Sequence, residues 1–312
     1  MKPKFSFVIP AKDEQDSVEI LCKHIKSVLK KITNNFEIVF VDDGSTDKTF
    51  QTLKLLARRD RKIKVIKHRG NFGKSIALQN GFSIAKGEII FTMDADLQDD
   101  PEEIPHFLEK LDEGYDMVSG WKQNRHDPKL SKVLPSIVIN SIARLLTKVK
   151  IHDMNCGYKV YRRKVVENLN LYGELYRFIP IIAAKMQFKV GEIPIKHHAR
   201  KYGKSKFGWS RSIKGILDLL TVVFLTGYIQ RPGHFFGGLG FASFSGGFII
   251  GLYIAYLRIT TGSIQFRQPL LFLGVLLMTM GVQLVTTGLL AEMIVYSQQK
   301  RDYKSFISDQ IG

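Results

Sequence analysis

Two long apolar runs near the end of this chain restrict its folding more than any other feature. Residues 233–257 contain no Asp, Glu, Lys or Arg, and residues 269–296 contain only Glu292. Each exceeds the roughly 20 apolar residues with which a helix crosses a bilayer, so both are expected as transmembrane helices. The connector, residues 258–268, is short and returns the chain to the side it left. Positive charge at Arg231 and at Lys300, Arg301 and Lys304 favours the cytoplasm for both ends, with Arg258 and Arg267 in the connector opposing. Gly274, Gly281 and Gly288 share one helical face, and Gly233/Gly237 and Gly247/Gly251 have GxxxG spacing. Close helix packing is expected from them, within the hairpin or between protomers of a homo-oligomer. Glu292, near the cytoplasmic end, reads as structural rather than as part of an ion pathway.

The formal net charge of +17 arises elsewhere: 40 of the 46 Lys/Arg and 26 of the 29 Asp/Glu lie in residues 1–228. Such an excess suits nucleic acid, anionic lipid or phosphorylated small molecules, and does not choose among them. At 45% hydrophobic content the chain is neither disordered nor fibrous. Cys22 and Cys156 fit neither a zinc site nor a disulfide framework, so a reducing cytoplasm is the simplest setting. The first residues lack the basic start, apolar stretch and cleavage site of a signal peptide, and the preceding domain is therefore expected to stay cytoplasmic.

Short runs rich in Val, Ile and Phe recur at residues 5–10, 37–41, 63–67, 88–93 and 116–120, with helical patterns between most of them. This alternation predicts an α/β fold with a mostly parallel sheet. Helix starts are expected at Asp13, at Asp47 and at Pro101-Glu102-Glu103. The strands then end in polar loops on one rim, where open sheets bind ligands. Beyond Gly120, Leu134, Ile137, Val138, Ile142, Leu145, Leu146 and Val149 recur at helical spacing opposite Asn140, Arg144 and Lys148. A helix over about 131–150 follows, lying on an anionic membrane or facing a core. Residues 205–230 repeat the pattern, with Ile213, Ile216, Leu217, Leu220 and Phe224 against Arg211, Lys214 and Asp218. The expected organisation is a cytoplasmic domain over 1–204, an interfacial helix over 205–230, a hairpin over 231–298 and a cytoplasmic tail over 299–312.

The strongest chemical signal is Asp94-Ala95-Asp96-Leu97-Gln98 after the run 88–93. Two carboxylates and an amide oxygen at alternating positions can hold a hard divalent cation, which can neutralise a diphosphate. A lone Asp-x-Asp is weak, because loops are full of solvated or capping aspartates. Two further polar segments follow strands on the same rim: Phe40-Val41-Asp42-Asp43-Gly44-Ser45-Thr46-Asp47 and Val8-Ile9-Pro10-Ala11-Lys12-Asp13-Glu14.

With these segments the sequence resembles the family 2 glycosyltransferases, whose fold is the nucleotide-diphospho-sugar-binding (GT-A) α/β type. Asn71-Phe72-Gly73-Lys74, Asp153-Met154-Asn155-Cys156-Gly157-Tyr158-Lys159, Arg162-Arg163 and Arg200-x-x-Gly203-x-Ser205-Lys206 are similar to dolichyl-phosphate mannose synthases and their bacterial polyprenyl-phosphate relatives. The likeness covers about residues 4–230 by motif and the remainder by architecture. It implies an inverting, Mg²⁺- or Mn²⁺-dependent transfer of a hexose, from a GDP-mannose or UDP-glucose type donor to a polyprenyl or dolichyl phosphate at the cytoplasmic membrane face. By position it implies that Pro10, Lys12, Glu14, Val41 and Asp43 surround the nucleoside. Asp94, Ala95 and Asp96 meet the donor diphosphate, and Asp96 and Gln98, with Asp94 beside them, hold the metal. Lys122 joins the donor set where the family often has an arginine. Lys12-Asp13 likewise departs from the commoner aromatic-Asn pair, so base and sugar stay open.

A phosphate monoester with a second pKa of about 6 is already nucleophilic near neutrality, so the reaction needs positive charge more than a dedicated base. Residues 196–214 hold seven Lys/Arg and no acid. Arg200 and Lys206 are expected on substrate phosphates, whereas Lys201, Lys204, Arg211 and Lys214 read as a basic face against lipid headgroups. Asp153 reads either as a residue orienting the acceptor or assisting the metal, or as a turn cap. His197 and His198 read as structural or phosphate-proximal, and Cys156 as a packed small residue. No nucleic-acid partner is expected. The rival readings are a catalytically silent, basic, membrane-tethered binding module and a transferase using another membrane acceptor. A processive polysaccharide synthase would carry Gln-x-x-Arg-Trp, which is missing, and a P-loop is excluded because His68 stands where its first glycine belongs.

The motif position of Arg200 generates a test. If its guanidinium bridges two phosphates, Arg200→Lys loses the planar fork. Initial transfer rates, normalised to folded membrane-bound protein, should then fall about ten- to hundredfold for both Arg200→Lys and Arg200→Ala. Near-normal turnover of the lysine variant would refute the bridge.

Overall fold

A computed structural model of the chain describes residues 3–123, 151–198, 232–264 and 266–298. The expected helix over 131–150, the segment 205–230 with Arg200 and Lys206 around it, and the tail 299–312 lie outside the described residues. The chain divides into two units, Met1–Val222 and Val223–Gly312.

In the first unit, β1 (Phe5–Ala11) and β2 (Phe36–Asp42) are buried along nearly their whole length, as strands covered on both faces must be. They pair in parallel from Phe5↔Phe36 to Ala11↔Asp42. β3 (Ile63–Lys67) continues the sheet beyond β2, and β4 (Ile89–Thr92) joins the other side of β1, both in parallel. Past β5 (Met117–Trp121) the chain reverses. β6 (Lys159–Arg162) inserts antiparallel between β4 and β5, and β7 (Val190–Pro194) pairs in parallel with β5. The order is β3-β2-β1-β4-β6-β5-β7, the mostly parallel α/β sheet expected from the periodicity.

Alternate strand residues face two helical layers. α1 (Val18–Lys30) turns Val18, Leu21, Cys22, Ile25, Val28 and Leu29 inward, and α2 (Thr49–Arg59) adds Leu53 to the same core as Phe5, Phe7, Ile9 and Phe40. α3 (Lys74–Ile84) packs on β1 and β2, with Gly81 against Val8 and Val41. α4 (Ile104–Asp112) returns to the first layer, where Phe107 packs on Phe91 and Tyr158, and Phe91 stacks on Phe7 at 4.7 Å. Burial of each such side chain contributes about 1.5–3 kcal/mol. The short α5 (Arg163–Asn168) and α6 (Ile179–Lys185) lie against β4/β6 and β5/β7 respectively.

One expected helix start moves. Asp13 does not open α1: it has φ 49°, and its carboxylate accepts from the Thr46 amide at 2.7 Å, tying the loop after β1 to the loop after β2. α1 begins only after Ser17. Asp47 does act near the start of α2, accepting from the Thr49 amide at 2.9 Å, and Asp100 caps the turn Pro101–Glu103 through the Glu102 amide at 3.0 Å.

The second unit contains α7 (Pro232–Thr261) and α8 (Gln268–Gln298), both long and apolar enough to cross a membrane. Phe241, Ile259 and Phe272 stand 72%, 84% and 70% exposed, a surface that lipid covers without penalty and water does not. The helices meet along glycines. A Cβ on Gly240 would lie 2.7 Å from the Gly281 carbonyl oxygen, Gly247 abuts the carbonyl of Gly274, and Gly288 lies by Gly233 and Phe236. Gly274, Gly281 and Gly288 thus form the shared face expected of them. Glu292 is structural here, accepting from the Gly233 amide at 2.8 Å. Within the hairpin only the first glycine of each GxxxG pair lies at the contact: a Cβ on Gly237 or Gly251 would have nothing within 4 Å. The seam recurs every seven residues, at 233, 240 and 247, because a near-aligned helix pair meets again every two turns, and a four-residue step rotates away from it.

Because backbone faces backbone at Gly247, a methyl there must separate the helices, whereas one at Gly251 meets open space. Gly247→Ala should destabilise the hairpin by about 1–3 kcal/mol and Gly251→Ala should leave it within about 0.5 kcal/mol. Unfolding of the full chain by SDS titration in detergent micelles measures both, and equal effects would refute the seven-residue seam.

Candidate active site

From β1 the chain builds β2 and β3 to one side and then crosses to β4 on the other. The strand order therefore reverses between β1 and β4, and ligands bind at the carboxyl ends beside such a point. Lys12–Glu14 leave β1 and residues 93–96 leave β4 on its two sides. The acid segment is not an extended strand end with Asp94, Asp96 and Gln98 on one face. It turns at Ala95–Asp96, and Leu97 adopts φ 61°, a left-handed conformation that costs a branched residue energy and is retained where a loop must hold a set shape. The turn brings the Gln98 amide back to Asp96 Oδ1 at 3.2 Å.

Around this turn Asp96 and Asp99 are buried and Asp94 half-buried, with lysines set against them. Lys74, the first residue of α3, donates to Asp94 Oδ1 and lies 5.1 Å from the centre of the Tyr176 ring. Burial alone would raise the Asp94 carboxyl, but Lys74, Lys122 and Lys159 together hold it below the usual carboxylate range. Lys122, just past β5, lies 3.2 Å from Asp99 Oδ1, whose side chain is fully buried. Burial works against its ammonium, yet Asp99 foremost, with Cys156, Asp94 and Asp153, keeps it above the ordinary lysine range. Lys159 is 3% exposed; burial chiefly, and Lys74 beside it, pull it down to about 8. Gly157 presses on Asp94 so closely that a Cβ would sit 2.5 Å from Oδ2. Cys156 is buried with its thiol pushed up to about 12 by desolvation, so it is a packed residue and no nucleophile.

The loop after β2 is fixed from the neighbouring segment. Asp43 accepts from the Phe72 amide and the Gly73 amide at 2.9 Å each and pairs with His68 Nδ1 at 2.9 Å. His68 in turn takes the Asn80 side chain on its other nitrogen at 2.9 Å. Asp43 thus sets the loop that delivers Lys74. Pro10 and Val41 are register partners. Val41 is fully buried with its side chain by Gly81, and Ala95 is packed in the core, so towards the crevice each has only backbone to offer. The Glu14 amide donates to Thr49 Oγ1 at 2.7 Å and its carboxylate accepts from Ser17. Lys12 is half-buried at the rim.

The segment after β7 docks onto the acid loop. Asp99 and His197 form an antiparallel bridge, the His198 amide donates to the Gln98 carbonyl at 2.8 Å, and the Gln98 side chain reaches the His198 carbonyl at 3.3 Å. His198 Nε2 also meets Asp100 at 3.0 Å. The chain is thereby carried beside the carboxylates up to two residues before Arg200. Asp153 is buried, 2% exposed, among the groups that bias Lys122 and Lys159. Sequence reading did not assign Lys74, Asp99 or Lys159 to the site. A lysine opening a helix after Gly73, and one on a strand closing on the acid turn, were the available signals.

Among the described residues no three His, Cys, Asp or Glu side chains gather into a metal cage. The acid turn offers Asp96 and Gln98, with Asp94 engaged by Lys74. Such a sparse oxygen set fits a divalent cation that takes one or two protein ligands and completes its shell on phosphate oxygens.

The family model described as Glycosyl transferase family 2 matches residues 6–169. The chain is 37% identical over 303 residues to a dodecaprenyl-phosphate galacturonate synthase of Rhizobium johnstonii, covering 96% of this chain and 90% of that protein. It is 34% identical over 307 residues to an undecaprenyl-phosphate 4-deoxy-4-formamido-L-arabinose transferase of Pseudomonas paraeruginosa, covering 97% and 88%. Among solved structures, glucosyl-3-phosphoglycerate synthase of Mycobacterium tuberculosis in complex with Mn²⁺, UDP-glucose and phosphoglyceric acid matches with a TM-score of 0.54 at 17% identity, over 71% of this chain and 80% of that chain. That likeness shows the GT-A type fold.

The contact at Gly157 generates a test. Alanine there must push the Asp94 carboxylate off Lys74, so Gly157→Ala should lower donor turnover at least about tenfold, while far-UV circular dichroism stays unchanged. Wild-type turnover by that variant would mean that the Asp94 position is not critical.

Proposed function

The chain belongs to glycosyl transferase family 2, and from that premise we propose that it transfers a hexose or related sugar from a nucleotide-sugar donor to a polyprenyl phosphate. The observation that carries this reading is the buried acid turn at the reversal of strand order, held against Lys74 and Lys122. A silent binding module has no use for carboxylates drawn inward and set against lysines at that cost. The acceptor follows the two relatives that match nearly the whole chain, which are named for dodecaprenyl phosphate and undecaprenyl phosphate.

In this reading Lys12, Glu14, Pro10, Val41 and Asp43 form the nucleoside side of the crevice, the last two through backbone and loop position. Asp94, Ala95 and Asp96 adjoin the diphosphate, with Lys122 supplying charge. Asp96 and Gln98, with Asp94 beside them, would hold Mg²⁺ or Mn²⁺, and the Mn²⁺ and UDP-glucose of the solved neighbour support such a pairing. When bound, that ion supplies charge neutralisation to the departing diphosphate. Arg200, Lys206 and Asp153 act on the acceptor side. An already ionised phosphate is the nucleophile, so these residues orient it and offset its charge. α7 and α8 anchor the chain in the membrane, both termini and the interfacial segments 131–150 and 205–230 on the cytoplasmic face. The donor is of GDP-mannose or UDP-glucose type, and the relatives named for galacturonate and formamido-arabinose put modified sugars in the same trial.

Membranes bearing the full chain, incubated with undecaprenyl phosphate and a panel of radiolabelled nucleotide sugars, should yield one labelled lipid. A silent panel would overturn the proposal. Asp96→Ala should fold normally and lose transfer by at least about a hundredfold, since it removes a charged ligand from a turn rather than a core side chain. Metal-dependent turnover retained by that variant would overturn the ligand assignment.

A further inference from the structure

Lys159 is the one buried lysine of the site that faces no carboxylate directly. Its ammonium donates to the carbonyl of Cys156. Its cross-strand register partner is Thr92 of β4, and Thr92 Oγ1 donates to the next carbonyl, that of Gly157, at 2.9 Å. Two consecutive carbonyls of the turn between Asp153 and β6 are thus gripped by one pair of facing side chains. Gly157 is the residue that presses on the Asp94 carboxylate, and the same turn begins at buried Asp153.

We propose that Lys159, with Thr92, is a positioning residue that holds the 153–158 turn under Asp94, fixing Asp94 and Asp153 relative to each other without touching substrate. The assignment rests on the proposed sugar transfer for its consequence, though not for its geometry. Burying an ammonium on one carbonyl is costly, and a structural turn can be held by neutral groups, as Thr92 shows. Its charge acts through space on the titratable groups around it, the Cys156 thiol and Lys74 from α3 foremost, then Asp153 from its own turn and Asp94 from the acid turn. Neutral Lys159 would leave Asp94 and Asp153 with less to offset them, so the grip and the charge fail together. Since its proton is lost near pH 8 rather than above 10, the arrangement weakens as pH rises through that value.

The test compares the full-length wild type, Lys159→Met and Thr92→Val in detergent, by transfer to undecaprenyl phosphate from pH 6 to 9.5 and by amide hydrogen exchange of residues 153–158. Lys159→Met should turn over at least tenfold more slowly at pH 7, lose the alkaline fall near pH 8 shown by wild type, and exchange the turn amides at least tenfold faster while β1 and β2 stay protected. Thr92→Val, which keeps the charge, should quicken exchange of the turn and slow transfer by a smaller factor, with the alkaline fall intact. Unchanged turn exchange in both variants would overturn the grip. A Lys159→Met enzyme within threefold of wild type, with the same alkaline limb, would overturn the charge role. If Lys159→Met fails to fold, Thr92→Val decides the grip, and the wild-type alkaline limb decides the charge, its absence overturning it. A wild type silent with every donor would count against sugar transfer, and the exchange measurement would still decide the grip.

Discussion

The first unit is organised around setting several carboxylates against lysines in one largely buried place. Asp94, Asp96, Asp99 and Asp153 are all drawn to the rim between β4 and β5, and three of the four are less than a tenth exposed. Like charges buried together neutralise by taking protons unless cations are built in beside them. Here the cations come from separate elements: Lys74 from the start of α3, Lys122 from the end of β5 and Lys159 from β6. The topology supplies the last of these. β6, inserted between β4 and β5, carries Lys159 opposite Thr92, two residues before Asp94, so its place in the sheet serves the electrostatics as well as the pairing.

The same elementary device, a missing Cβ, is used in two physical settings. At Gly157 it admits a carboxylate against the chain and so fixes where negative charge sits. Between α7 and α8 it admits backbone against backbone. Lipid is as apolar as leucine and gives two helices no reason to associate, so close packing must supply what the hydrophobic effect supplies in water. α7 and α8, exposing large side chains outward and meeting along Gly240, Gly247, Gly274 and Gly281, have the form such packing takes, and Glu292 satisfies the Gly233 amide at a helix start, which would otherwise lack a partner.

The strands on the page of the sequence are those whose signal is local. β1 and β2 are mostly apolar runs and β3 sets Ile63, Val65 and Ile66 among lysines, and their limits lie within a residue of those expected. β6 and β7 carry no such run: Lys159-Val160-Tyr161-Arg162 is two charged residues around two apolar ones, stabilised by long-range pairing with Ile89–Thr92 and Met117–Ser119. Asp13 misleads for a related reason. An aspartate before a helical pattern looks like its cap, but the loop after β2 offers a competing donor in Thr46, and α1 starts only after Ser17. At the site, Asp94-Ala95-Asp96 and Asp43 are legible because their residue types are unusual after apolar strands. Lys74 and Lys159 are common surface residues in any composition, and only the fold shows Lys159 buried and Lys74 set on Asp94.

Asp43 shows how far the loops depend on one another. Its two oxygens take the amides of Phe72 and Gly73 and the His68 ring, so it fixes the approach to α3; α3 begins with Lys74, and Lys74 holds Asp94. Asp94 in turn rests on Gly157, in the turn gripped from Thr92 and Lys159. Three loops from different strands therefore form one chain of contacts in which each acid is set by the next segment's donor. Hydrogen bonds to ionised groups are about twice as strong as neutral ones, and those here are largely shielded from water. On the proposed sugar transfer, a crevice so arranged would meet an anionic donor with its dipoles and charges already oriented, and such preorganisation is where electrostatic catalysis gains most over reaction in water.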